Sequence, residues 1–113
     1  MTLRFTWSRV KAASNLRKHH VGFEIASRVF LDPFALSDQD RIEAGEARWQ
    51  TIGSVDGVAV LLIAHTVRDD LLIAHTVCDD AEGTEVIHII SARRAERGER
   101  RRYEEARYRE LRT

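Results

Sequence analysis

Nowhere in this 113-residue chain do about eighteen apolar residues run together, so no membrane-spanning helix is expected. Met1-Thr2-Leu3-Arg4 leads into no signal-peptide core, and the expected location is the cytoplasm. Cysteine is almost absent: Cys78 stands alone, cannot close an internal disulfide, and suits a reducing compartment. His75-Thr76-Val77-Cys78-Asp79 has one histidine and one cysteine without a second pair, short of a zinc pattern, so no metal or other cofactor is expected. Cys78 also has no histidine and acid partner assigned by the sequence. A helix-turn-helix pattern is missing too, which argues against direct DNA binding. Net charge, finally, is zero.

What is present is 43% hydrophobic residues, enough for one modest core and too few for two, so a single domain over residues 1–113 is expected. The zero charge conceals a segregation: residues 1–30 carry +5, residues 31–90 carry −9 and residues 91–113 carry +4. If the two basic ends meet in the fold they make a positive field on a neutral protein, suited to nucleic acid on one face. The alternative is a set of solvated helix faces.

Leu3-Arg4-Phe5-Thr6-Trp7 alternates apolar and polar residues and predicts a short strand. Ser8 suits the N-cap of a helix from Arg9 to His19, with Val10, Ala13 and Leu16 or Arg17 inward and Lys11, Asn15 and Lys18 along one stripe. Phe23 to Leu31 reads as a second helix with Ala26, Val29 and Phe30 inward, ended by Asp32-Pro33. Ser37 to Ala47 is polar and acidic, a loop. Trp49 to Ile52 resumes strand character, and Asp56-Gly57 signals a hairpin into Val58 to Val67. Trp7 and Trp49 could stack bases, but aromatic packing is the simpler role.

Leu61 to Asp70 reads LLIAHTVRDD and Leu71 to Asp80 reads LLIAHTVCDD, a tandem repeat differing only at Arg68 and Cys78. Ten residues fall well below the roughly 20 that form one solenoid unit, so this is a duplicated strand. Because ten is even, exchanging the copies keeps Leu, Ile, His and Val on the same face and leaves register weakly specified. Three outcomes compete: an added antiparallel strand, which local propensity favours and which would reverse the strand after it; one copy extruded as a loop; or strand exchange between two chains in a homodimer.

After the turn at Ala81-Glu82-Gly83-Thr84, the chain from Glu85 to Tyr108 passes from an apolar strand, Val86 to Ile90, into an arginine-rich helix, Ala95 to Leu111. Ala95, Tyr103, Ala106 and Leu111 are that helix's inner contacts. A strand ending in Ser91-Ala92-Arg93-Arg94 delivers two guanidinium groups to one edge of a sheet. Guanidinium is planar, permanently charged and forks onto phosphate oxygens, so the first ligand to consider is a phosphodiester.

Several stretches, in order along nearly the whole chain, resemble the BrnT toxins of bacterial type II toxin–antitoxin pairs, whose fold is similar to that of the RelE ribonucleases. They are Phe5-Thr6-Trp7, Lys11 through His19, Phe30-Leu31-Asp32-Pro33, Gly45-Glu46-Ala47-Arg48, and Ile89 through Arg94 with Arg100 through Glu105. The resemblance implies an α+β fold: a first strand, two N-terminal helices, an antiparallel β-meander of RelE-like form, here with one extra strand from the duplication, and a C-terminal helix. It implies an endoribonuclease that arrests translation and is neutralised by a BrnA-type ribbon-helix-helix antitoxin. Promoter DNA would be bound only through the antitoxin complex, a heterotetramer being one form. Against the family pattern, His20 replaces a glycine, Gly22 a capping serine, Ile25 a glutamate and Ser8 an aspartate, and the family needs one copy of the LLIAHTV strand. A rival reading is therefore a catalytically inactive module that binds antitoxin or RNA, its site disrupted by the duplication.

For RNA cleavage without a metal, a 2′-hydroxyl must lose its proton, a charged phosphorane must be stabilised and the 5′-oxygen must be protonated. Arg93 and Arg94 suit the second task, with Arg97 and Arg101 holding substrate beside Lys11, Lys18 and His19. For proton transfer the candidates are His65 or His75, Tyr103, His19, His88, Lys18 and Glu99. His65, His75 and His88 sit on apolar faces where a hydrogen-bonded core histidine is commoner, and Tyr103 is first a core anchor.

Overall fold

In a computed structural model, which describes residues 2–69 and 84–112, five strands form one mixed sheet in the order β1-β5-β4-β3-β2. Strand β1 (Thr2–Trp7) runs into helix α1 (Arg9–His19), the short helix α2 (Phe23–Ala26) and a 3-10 turn (Ser27–Leu31). Strands β2 (Leu36–Glu43), β3 (Glu46–Val55), β4 (Ala59–Asp69) and β5 (Thr84–Arg94) follow, and helix α3 (Arg97–Arg112) closes the fold. Neighbouring strands from β2 to β5 are antiparallel, but β1 pairs parallel with β5, so the sheet is not a pure antiparallel meander.

The hairpin signal at Asp56-Gly57 is met: both residues have positive φ, 53° and 72°, and Val58 N–H closes the turn on Val55 O. Residues 37–47, expected as a loop, instead form most of β2, the turn at Ala44 and Gly45, both with positive φ, and the first two residues of β3. An exposed edge strand needs charge rather than apolar alternation, which is why its sequence does not look like a strand. The expected second helix is split, α2 giving way to the 3-10 turn, although Ala26 and Val29 are fully buried as anticipated.

The first repeat copy supplies β4. It pairs with β3 on one side and directly with β5 on the other, Asp69 opposite Glu85, so no added strand lies between them and β5 is not reversed. The second copy, Leu71 to Asp80, with His75 and Cys78, lies outside the described residues.

One sheet face carries the main core, where Leu61, Ile63, Ile87, Ile89 and Ala92 pack under Phe23, Ala26 and Val29. Gly53 admits this approach, because a Cβ there would stand 2.7 Å from Val29 Cγ1. Helix α1 meets the sheet through Ala12 and Asn15, not through the expected stripe; Val10 is 79% and Leu16 52% exposed. The reason is backbone satisfaction. Strand β1 stops opposite Ile89, leaving Ala92 unpaired on that edge, and Asn15 donates to Ala92 O at 2.7 Å and accepts from Ala92 N at 3.1 Å. A third bond, to Val21 O, ties the loop after α1.

Among the described residues, the opposite face is covered only at one end. There Tyr103, 1% exposed, packs with Ile52 and Leu62, flanked by Phe34 and Val60. Ala106 is half-buried, but Leu111, expected inward, is 66% exposed. Arg102 with Asp38, and Arg107 over the Phe34 ring at 5.4 Å, add surface contacts for α3.

Candidate functional site

Beyond the part of the sheet that α3 covers, Thr6, Lys11, Glu46, Arg48, Thr66, Arg68, Val86, His88 and Ile90 line a hollow of about 370 Å³. Strand alternation builds it, since His88 is the Cα partner of Thr6 on one side and of Thr66 on the other, so the three share a face. Arg48 neighbours Trp49, which points to the core side beside His65, and therefore turns to the open side. Lys11, in the first turn of α1, reaches over the β1 edge. Three cations thus converge with one carboxylate, Glu46. The Arg48 Nε is buried without a hydrogen bond among the described residues, its nearest acid being Glu43 at 3.8 Å.

His88 is the imidazole in this hollow. Its Nδ1 lies 2.8 Å from Thr6 Oγ1, and its place in mid-strand holds the ring on rigid backbone.

His65 is placed quite differently. It is 2% exposed on the core face, edge-on to Phe30 with ring centroids 5.0 Å apart, and its Nε2 lies 2.7 Å from Thr51 Oγ1. Burial pushes its pKa down to about 4, so it is neutral at ordinary pH and enclosed. That geometry gives it no path to a substrate on the open face. Tyr103 is likewise occupied: its hydroxyl donates to Asp32 Oδ2 at 2.5 Å, and burial together with Asp32 raises its pKa. Burial alone would raise the Asp32 carboxyl, but bonds from Ser54 N–H, Tyr103 and Phe34 N–H bring it below the usual range. The cluster is a structural clasp between α3, β3 and the turn before β2.

Arg93 and Arg94 are not delivered together, because successive strand residues face opposite ways. Arg93 pairs with Leu62 on the open face and its guanidinium is held by Glu99, at 2.8 and 2.9 Å. Arg94 pairs with Leu61 on the other face, is exposed, and lines a separate hollow of about 650 Å³ with Arg100, Glu104 and Arg107 at the sheet end. That second hollow has charge for phosphate but no imidazole.

Of the expected holders, Lys11 lies in the first hollow. Lys18 and His19 are exposed about 10 Å further along α1, and Arg97 and Arg101 are exposed on α3, none of them lining it. Trp7 packs edge-on to Phe23 at 5.9 Å, a core contact. Arg48 and Arg68 were not singled out by sequence; the signal was there in strand parity with His88, but only once the register is known. Among the described residues no group of three or more His, Cys, Asp or Glu could hold a metal ion, and no helix is long and apolar enough to cross a membrane.

Residues 7–99 match the family described as the ribonuclease toxin BrnT of type II toxin–antitoxin systems. Among solved structures the chain is similar to the Brucella abortus ribonuclease toxin BrnT, with 19% sequence identity and a TM-score of 0.52, covering 86% of this chain and 100% of that one. At such identity the likeness concerns the fold. No curated protein matches the chain.

Proposed function

The chain belongs to the BrnT family, the ribonuclease toxins of type II toxin–antitoxin systems, and from that premise we propose that it cleaves RNA on the face of its sheet that carries His88. The observation that carries this is the convergence of Lys11, Arg48 and Arg68 beside His88 in one open hollow. Three converging cations can hold a phosphodiester and stabilise the charge that grows on it during displacement. The His88 imidazole beside them can accept or donate a proton in a reaction that needs no metal.

Arg93, tied to Glu99, extends the basic strip towards α3 rather than acting on phosphorus. Cleavage of messenger RNA in the RelE manner arrests translation in the cytoplasm, and a BrnA-type ribbon-helix-helix antitoxin neutralises it and carries the complex to promoter DNA.

The test is incubation of the purified chain with single-stranded RNA in excess chelator, beside an Arg48→Ala, Arg68→Ala version. Cleavage that persists in chelator and is lost in the double variant is the expected result. No cleavage by the unmutated chain would favour a module that works only by binding its antitoxin.

A further inference from the structure

His88 differs from every other described histidine in what surrounds it. His65 is enclosed in the core, and His19 and His20 are exposed at the end of α1, away from the hollow. His88 stands in mid-strand between Thr6 and Thr66, with Nδ1 engaged by the Thr6 hydroxyl and no hydrogen-bond partner for Nε2 among the described residues. Facing the same hollow are Lys11 from α1, Arg48 and Glu46 from β3, and Arg68 from β4.

We propose that His88 is the base that takes the proton from the ribose 2′-hydroxyl of a single-stranded RNA seated in this hollow, with Thr6 as the residue that positions its ring. The proposal rests on the RNA-cleaving reading above and assigns the proton transfer within it.

In the tautomer this role requires, Thr6 Oγ1 accepts from Nδ1–H, the Nε2 lone pair is open to the substrate, and the same hydrogen bond survives when Nε2 gains a proton. As the 2′-oxygen forms its bond to phosphorus, its proton passes to Nε2. The phosphorus–O5′ bond breaks, the 5′-oxygen leaves with its bonding pair and takes a proton from water, and the proton on His88 returns to solvent. The products are a 2′,3′-cyclic phosphate and a 5′-hydroxyl, with no change in oxidation state. Lys11, Arg48 and Arg68 face the phosphate oxygens as charge builds on them. DNA, lacking the 2′-hydroxyl, can bind here but cannot be cut.

The experiment compares the unmutated chain with His88→Ala, His88→Gln, Thr6→Val and Thr6→Ser, on one single-stranded RNA in excess chelator across a pH series. Binding is measured on the same RNA carrying 2′-O-methyl groups, which cannot react. Both His88 variants are expected to cleave at least about 100-fold more slowly while binding the methylated RNA as the unmutated chain does. They lose the acidic limb of the pH–rate profile, and added imidazole restores part of the rate to His88→Ala. Thr6→Val lowers kcat without raising KM and displaces that limb, whereas Thr6→Ser recovers both.

His88→Gln can keep a hydrogen bond to Thr6, so its loss of rate with an intact melting transition separates chemistry from misfolding. If the unmutated chain cleaves and the His88 variants cleave equally well, or lose binding in step with rate, the assignment to His88 is wrong while the RNA reading stands. If the unmutated chain cuts no RNA, the reading itself fails and the assignment with it.

Discussion

Arg93 and Glu99 meet fork to fork, Nη1 and Nη2 of the guanidinium donating to the two carboxylate oxygens at 2.8 and 2.9 Å. Glu99 Oε1 also accepts from the backbone N–H of Glu96, so one carboxylate both caps α3 and fastens it to the last residues of β5. The Arg93 hydrogen bonds hold the Glu99 carboxyl below the usual range. Its contribution to stability is therefore present above the unfolded carboxylate pKa and lost as pH falls through the lower folded value. Arg93→Ala is expected to cost about 1–2 kcal/mol in a denaturant melt. Cleavage per folded molecule should change much less than in the Arg48, Arg68 double variant, because Arg93 is already engaged.

His65 makes a second, separate pH dependence. Its folded pKa of about 4 lies below the unfolded value of 6.5, so the neutral ring is favoured by folding. Stability is full above pH 6.5 and declines between there and pH 4, by about 3 kcal/mol in all. Urea melts across that range should show the decline, and His65→Gln, which can still reach Thr51, should flatten it.

His20 ends α1 at φ 59° and ψ 27°, the left-handed region where a side chain is strained. His20→Gly should stabilise the fold by about 1 kcal/mol, raising Tm by about 4 °C, a shift that calorimetry can resolve. A fall in Tm would mean that the imidazole has a stabilising contact that offsets the strain.

Arg68 is the position at which the two repeat copies differ, and it lies in the hollow. Arg68→Cys writes the second copy's residue into β4. If Arg68 contacts one phosphate, the slope of log affinity for RNA against log salt becomes shallower by about 0.7. An unchanged slope would remove Arg68 from the binding surface.

The sequence was most informative where local chemistry decides the structure. The Ser8 cap, the Asp56-Gly57 turn, the stop at Asp32-Pro33 and the strand at Phe5 to Trp7 are each set by a few neighbouring residues. It misled where a distant requirement won. Val10 and Leu16 look like the inner side of α1, yet the unpaired backbone at Ala92 draws Asn15 inward and turns them out. His65 and His88 are alike in sequence, each among alternating apolar residues, and only the layers above and below the sheet distinguish them. Phe30 of the 3-10 turn covers His65, whereas among the described residues α3 covers only the other end of the face that carries His88.

Between β4 and β5 the ladder slips by one residue: His65 pairs with Ile89 and Ala64 with Ser91, leaving Ile90 without an opposite number. That single surplus residue changes odd for even along the rest of β5. Without it Arg94 would share a side with His88 and Arg93 would turn away from Glu99. One inserted amino acid therefore chooses which of two adjacent arginines becomes a strut for the terminal helix and which is left to solvent.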